Sequence, residues 1–217
     1  MRKFVFALPV FAMFCPAVAQ AGNFDGFYAG AQLGGAVDTI ERNQTAPAFY
    51  AGQYKTDSLA AVGVTGTIFA GYGMLFKDTI YLGAEMFGTF GNRDYSYKET
   101  DPSAPYKEKN KFGNQWGFNV RPGYLINDKA LIYGLLGYER VSMSSSSTSA
   151  DAASYDKTNN AFQLGVGTEI TVNGPLAMRI DYAHTFIPDI TVTNSIGIST
   201  TYKAQEDSFK IGFSYHF

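Results

Sequence analysis

The chain has almost none of the residues on which thiol and metal chemistry depend. Its 217 residues include one cysteine and two histidines. Cys15 falls within the first 21 residues, which read as a cleaved leader. The remaining chain therefore holds no disulfide framework, no thiolate nucleophile and no cysteine-based metal site. Charge of one sign is also missing: 17 Lys and Arg stand against 19 Asp and Glu, with no basic stripe, which argues against nucleic acid as a partner. No apolar run reaches the ~18–20 residues of a membrane helix. No acidic spacing matches a calcium loop, and Gly63–Gly73 is spaced as strand pleat rather than as a phosphate loop before a helix. No cofactor or metal is implied.

The leader is Met1 to Ala21. Arg2 and Lys3 make its positive start, residues 4–14 a short apolar stretch, and Ala17-Val18-Ala19 and Ala19-Gln20-Ala21 two small-x-small cleavage patterns. Phe14 before Cys15 is too bulky for a lipoprotein site. Residues 22–217 then form one domain, with 15 basic residues left against 19 acidic once Arg2 and Lys3 are removed.

That domain shows a two-residue period and no sustained 3.6-residue one. From Phe112 to Tyr124 the even positions include Phe112, Asn114, Trp116, Phe118 and Val120, and the odd positions Gly113, Gln115, Gly117, Asn119 and Arg121. Phe162–Val172 and Phe209–Phe217 repeat the pattern, and Phe27–Val37, Val62–Phe76, Thr79–Phe90, Ala130–Val141 and Leu176–Phe186 follow it with more noise. These make eight candidate strands. Short connections near Lys77-Asp78, Asn127-Asp128 and Asn173-Gly174-Pro175 alternate with long polar ones, Asp38–Ser58, Asn92–Lys111, Ser142–Asn160 and Ile187–Asp207. The mean hydropathy of −0.10 looks soluble. Transmembrane barrels average out in the same way, because apolar and polar residues alternate. The predicted fold is an all-β, eight-stranded antiparallel up-and-down transmembrane β-barrel.

An eight-stranded barrel is only just wide enough inside for side chains. Trp116, Phe118, Phe162, Phe209, Phe213, Tyr215 and Phe217 are therefore assigned to the lipid face. The Gly-rich face, which carries Glu85, Arg121, Glu169 and Arg179, is assigned to a small, polar, partly hydrated lumen. Asp181, two residues past Arg179, shares that face. A lone charge in such a lumen is costly, so these five residues are expected to form an ionic cluster, either a brace or a gate.

Gly26-Phe27-Tyr28-Ala29-Gly30-Ala31-Gln32-Leu33-Gly34 and Lys210-Ile211-Gly212-Phe213-Ser214-Tyr215-His216-Phe217 resemble the first and last strands of the small outer-membrane β-barrel family of Gram-negative bacteria. That family includes the membrane domain of outer-membrane protein A and the opacity-type surface proteins. The resemblance implies an assembly signal at Lys210, Gly212, Phe213, Tyr215 and Phe217, read by the barrel assembly machinery. It also implies surroundings of outer-membrane lipid and lipopolysaccharide, and periplasmic termini. Gly83-Ala84-Glu85-Met86, Val120-Arg121-Pro122-Gly123-Tyr124, Gly167-Thr168-Glu169 and Met178-Arg179-Ile180-Asp181-Tyr182 resemble strands whose charges meet inside the barrel. Gln32 stands where the family's first strand bears a Lys. No separate peptidoglycan-binding domain is read in the chain.

Three functions stay open at this point. One is a non-enzymatic surface protein, supporting the envelope and presenting four extracellular loops to a host or environmental ligand. Another is a narrow, low-conductance porin. The third is a lipid A-modifying barrel enzyme. Against the enzyme, a deacylase of that shape pairs a His with a nearby Ser, whereas this chain reads His184-Thr185-Phe186. His184 falls on the lipid-side parity, as an interfacial residue near the rim.

Overall fold

The computed structural model describes residues 24–45, 56–91, 93–99, 106–147, 155–193 and 199–217. The predicted leader, residues 1–21, lies outside the described residues. The strands are β1 (Gly26–Thr45), β2 (Thr56–Phe76), β3 in two stretches (Ile80–Gly91 and Arg93–Glu99), β4 (Tyr106–Asn127), β5 (Ala130–Ser147), β6 (Tyr155–Asn173), β7 (Leu176–Thr193) and β8 (Ser199–His216). Each pairs antiparallel with the next, and β1 pairs with β8 from Tyr28↔His216 to Thr45↔Ser199, closing the ring. Eight antiparallel strands thus form an up-and-down barrel with no free edge, the only kind of sheet that satisfies its backbone in lipid.

The short turns work as their residues dictate. Lys77 and Asp78 both sit in the left-handed region, at φ of 52° and 60°, as a tight reversal between twisted strands requires. The Asn127 side chain accepts a bond from Lys129 N at 2.9 Å. Gly174 turns the β6–β7 hairpin at φ 52°.

The strands are longer than the alternation suggested. They run to 22 residues in β4, where about 9–11 would cross a bilayer. The described strands take in much of the four long polar connections, and residues 46–55, 100–105, 148–154 and 194–198 lie outside the described residues. The apolar stripe ends where the lipid ends, but the ladder does not: Gln44↔Thr200 and Lys109↔Ser146 still pair beyond it. At a rise of ~3.3 Å per residue and a tilt of ~40°, a 20-residue strand climbs about 50 Å, twice an apolar band of ~25 Å. The barrel wall therefore projects well past the membrane at its long-connection end.

Trp116, Phe118, Phe162, Phe209, Phe213, Tyr215 and Phe217 are exposed on the outer face. Phe112 is not with them. A register shift between Phe112 and Gln115 marks a β-bulge, which reverses the parity of everything before it. Asn114 stays outside and Phe112 is buried in the lumen.

The lumen is also less polar than its Gly-rich parity implied. Near the short-turn end Phe24, Tyr81, Leu125, Leu131, Tyr133, Leu135 and Ala183 pack together. Near the long-connection end a second apolar cluster brings in Ile40, Phe112, Val141, Met143, Ile187 and Tyr202. Between these layers lie the charges.

Candidate functional site

Four strands aim charged side chains into the lower half of the lumen. Arg121 on β4 reaches Glu169 on β6 at 2.6 Å and Glu85 on β3 at 3.5 Å. Arg179 on β7 reaches Glu85 at 2.5 Å and, through Nε, Asp181 on its own strand at 2.7 Å. Arg121 and Glu169 are 0% exposed. The structure thus brings Glu85, Arg121, Glu169, Arg179 and Asp181 into one connected group.

The group includes residues that parity alone did not single out. Tyr133 Oη donates to Asp181 Oδ1, and Gln32 Nε2 donates to Asp181 Oδ2 at 2.8 Å. Ser214 donates to Glu169, and His216 Nε2 lies 2.7 Å from the same oxygen. The Arg121 guanidinium lies 3.9 Å from the Tyr133 ring centroid, 5.1 Å from that of Tyr28 and 5.7 Å from that of Tyr81. Arg179 lies 4.4 Å over Phe69. Each guanidinium is therefore held between carboxylates and aromatic faces, which together offset the cost of taking it out of water. Gly167 makes room for this packing, since a Cβ there would strike Asp181 Oδ1 and the Tyr133 ring.

A second group lies above the first. Arg93 donates to Asp38 at 3.1 Å and to Glu206 at 2.5 Å, and Gln115 donates to Glu206 at 2.5 Å. Glu139 is buried beside them. Asp38, Arg93 and Glu206 fall in stretches read as long connections, so their inward parity went unused. Across the described interior Asp38, Glu85, Glu139, Glu169, Asp181 and Glu206 face Arg93, Arg121, Arg179 and Lys210. The balance expected of Glu85, Arg121, Glu169 and Arg179 does not extend to the whole lumen. Between the two groups a void of about 20 Å³ is lined by residues including Gln32, Thr67, Glu85, Asn119, Gln163 and Lys210. It has room for about one water.

The last strand splits by parity. Lys210, Gly212 and His216 point inward, and Phe213, Tyr215 and Phe217 outward. Phe217 N donates to Phe27 O at 2.9 Å, pinning the chain's end to β1. A Cβ at Gly212 would strike the backbone of Ala31 and Gln32, so only glycine fits this seam. His184 lies on the outer face, its Nδ1 2.8 Å from Asp207 Oδ1.

A family model for the outer membrane protein beta-barrel domain matches residues 6–217. Among curated proteins none matches. Solved structures that resemble the chain include outer membrane protein OprG from Pseudomonas aeruginosa, at 13% identity and a TM-score of 0.59, over 90% of this chain and 99% of that one. The outer membrane protease OmpT from Escherichia coli is similar at 9% identity and 0.55, over 92% and 99%. Ail, the attachment invasion locus protein of Yersinia pestis, is similar at 15% identity and 0.44, over 89% and 99%.

Proposed function

We propose that this chain, which belongs to the outer membrane protein beta-barrel domain family, is a closed barrel that works at its projecting rim and not through its lumen. The supporting observation is the filled interior. Two ionic groups are stacked between apolar layers, and the space between the groups is a void of about 20 Å³. A solute would have to break buried ion pairs from several strands and displace Phe112 and Tyr202. Losing one partner of such a pair costs about 3–5 kcal/mol. A porin function would spend that at every passage.

In this reading the ionic groups brace the wall. The chain is exported by its leader, its termini face the periplasm, and its long-connection end faces outside. The long polar β-walls carry that end clear of lipopolysaccharide, where a host or environmental ligand reaches the four connections. The function is non-enzymatic. Adhesion of whole cells to an epithelial monolayer tests it. Cells carrying the barrel with all four connections shortened to tight turns should bind several-fold less than cells carrying the intact chain, at equal folded protein in the membrane. Equal adhesion would overturn the proposed role of the rim.

A further inference from the structure

Toward the long-connection end the apolar belt of the wall closes on a row of rings. Phe118, Tyr138, Phe162 and Phe186 stand side by side across β4 to β7, all exposed on the outer face. Aromatic rows of this kind mark the depth at which acyl chains give way to headgroups. At a rise of ~3.3 Å per residue and a tilt of ~40°, two residues climb about 5 Å. Trp116 and Arg140, paired across β4 and β5, lie one such step above the row. Asn114 and Ser142 lie a further step up. This stretch of wall therefore stands among headgroups and not in hydrocarbon.

The β4 bulge opens a pocket there. Gly113 and Asn114 together oppose Ser142 alone, between the pairs Phe112↔Met143 and Gln115↔Val141. Glycine at 113 keeps the floor open, since a Cβ there would meet Ser142 Cβ at 3.2 Å. The cavity has a volume of about 250 Å³, and its lining includes Lys111, Asn114, Ser142, Ser144 and Asp156. Lys111, Asn114 and Asp156 are exposed, and the two serines half-buried. Lys111↔Ser144↔Asp156 form the upper row of the pocket. Arg140 stands two residues below Ser142 on the same face, its guanidinium 5.8 Å from the Trp116 ring centroid. Trp116 is still 49% exposed, so the ring keeps an open side. Among the described residues neither Lys111 nor Arg140 is ion-paired, with Asp156 or any other acid.

We infer that this pocket binds the phosphorylated glucosamine head of a lipopolysaccharide molecule, its phosphate on Lys111 and Arg140 and its sugar between Trp116 and Asp156. The inference rests on the proposed orientation, with the long-connection end outside. Charge specifies the phosphate: two cations on one face lack an internal partner and donate to an anion, Arg140 with a planar fork. The remaining lining specifies a sugar. Asn114, Ser142 and Ser144 both donate and accept, Asp156 accepts from hydroxyls, and the open side of Trp116 covers the apolar face of a ring. Size limits the head to one sugar unit, because the volume falls below the ~300 Å³ of the smallest drug-sized sites. Position specifies a lipid-borne ligand and not a free phosphate. Directly below the aromatic row Val120 and Leu136 are exposed side by side, where the acyl chains of the same molecule pack.

Trp116 is the chain's single tryptophan, so its own fluorescence reports on the pocket. The folded full barrel in detergent micelles is titrated with bisphosphorylated lipid A, with the same lipid A stripped of phosphate, and with phosphatidic acid. Native mass spectrometry counts the copies bound and reads Arg140→Gln, whose side chain touches the fluorescent ring. The unaltered protein should bind one copy of lipid A, and the other two lipids roughly tenfold more weakly. Lys111→Gln and Arg140→Gln should each weaken lipid A binding by roughly tenfold, the loss of one charge-assisted hydrogen bond. Ser142→Leu, which fills the pocket, should abolish it. Ser142 Oγ lies 3.5 Å from Thr158 Oγ1, so little else is lost with it. Lys203→Cys removes an exposed cation on β8, four strands away from β4, and should bind as the unaltered protein does. Heat-modifiable migration checks folding, and a variant that fails is replaced by Lys111→Ser, Arg140→Ser or Ser144→Leu. The pocket is overturned by equal binding of the three lipids, by lipid A affinity that survives Lys111→Gln or Ser142→Leu, or by the same loss in Lys203→Cys. The orientation has its own readout. In intact cells a membrane-impermeant maleimide should label Lys203→Cys above the unaltered protein; no labelling would overturn the orientation, and lipopolysaccharide as the ligand with it, whatever the titration gives.

Discussion

Glu169 stands opposite Arg179 in the β6–β7 ladder, yet its carboxylate turns to Arg121 on β4, while Arg179 reaches back to Glu85 on β3. Side chains of directly paired residues leave the sheet nearly parallel. In a narrow lumen the closer partner can be the one across the barrel. The inward parity of Glu85, Arg121, Glu169, Arg179 and Asp181 was therefore legible from a strict period of two, but their partners were not. Nor were Tyr133, Ser214 and His216, whose polar atoms complete the network from the same face. A double-mutant cycle tests the pairing. Arg121→Met and Glu169→Gln should each destabilise the barrel by about 3–5 kcal/mol, since each leaves a buried charge uncompensated. Together they should cost less than the sum by about 1–3 kcal/mol, read by reversible urea unfolding in lipid vesicles. Simple additivity would mean that the two side chains do not share an interaction.

Among the elements, β4 shows why alternation is readable only in part. Val120, Phe118 and Trp116 point outward in step, and then the bulge before Gln115 admits one extra residue and sends Phe112 inside. Nothing in the string Phe112-Gly113-Asn114-Gln115 distinguishes a bulge from continued pleating. The strand ends beyond the membrane are hidden for another reason. There the outer face meets water, so Thr39, Glu41, Lys203 and Gln205 are as polar as a loop, although they are paired. The last strand has a more regular pattern and a specific part to play. Its Phe217 ring is exposed, 5.1 Å from Tyr215, and its backbone closes the seam on Phe27. We propose that Lys210, Gly212, Phe213, Tyr215 and Phe217 are read as an assembly signal. Deleting Phe217 should lower the folded, heat-modifiable form in outer membranes several-fold while export and leader cleavage continue. An undiminished folded fraction would remove the signal from the account.

At the scale of the whole molecule, the barrel, its eight strands and its inverted apolar face follow from local pattern alone. Each strand repeats the same two-sided rule, and closure of the ring repeats it once more between β1 and β8. The filling of the lumen does not follow, because it depends on which inward residues from distant strands meet at one height. Arg93 on β3 finds Asp38 on β1 and Glu206 on β8, and Phe112 on β4 joins Ile40 on β1 and Tyr202 on β8 in one cluster above them. In the proposed reading the result is a barrel braced by charge in its middle, with apolar clusters near both ends that close it. Single-channel recording in a planar lipid bilayer at high salt addresses that closure directly. The purified, heat-modifiable protein should insert without producing conductance steps above the bare membrane. Sustained open steps from the unaltered protein would show a continuous path through the ionic groups and contradict the closed barrel.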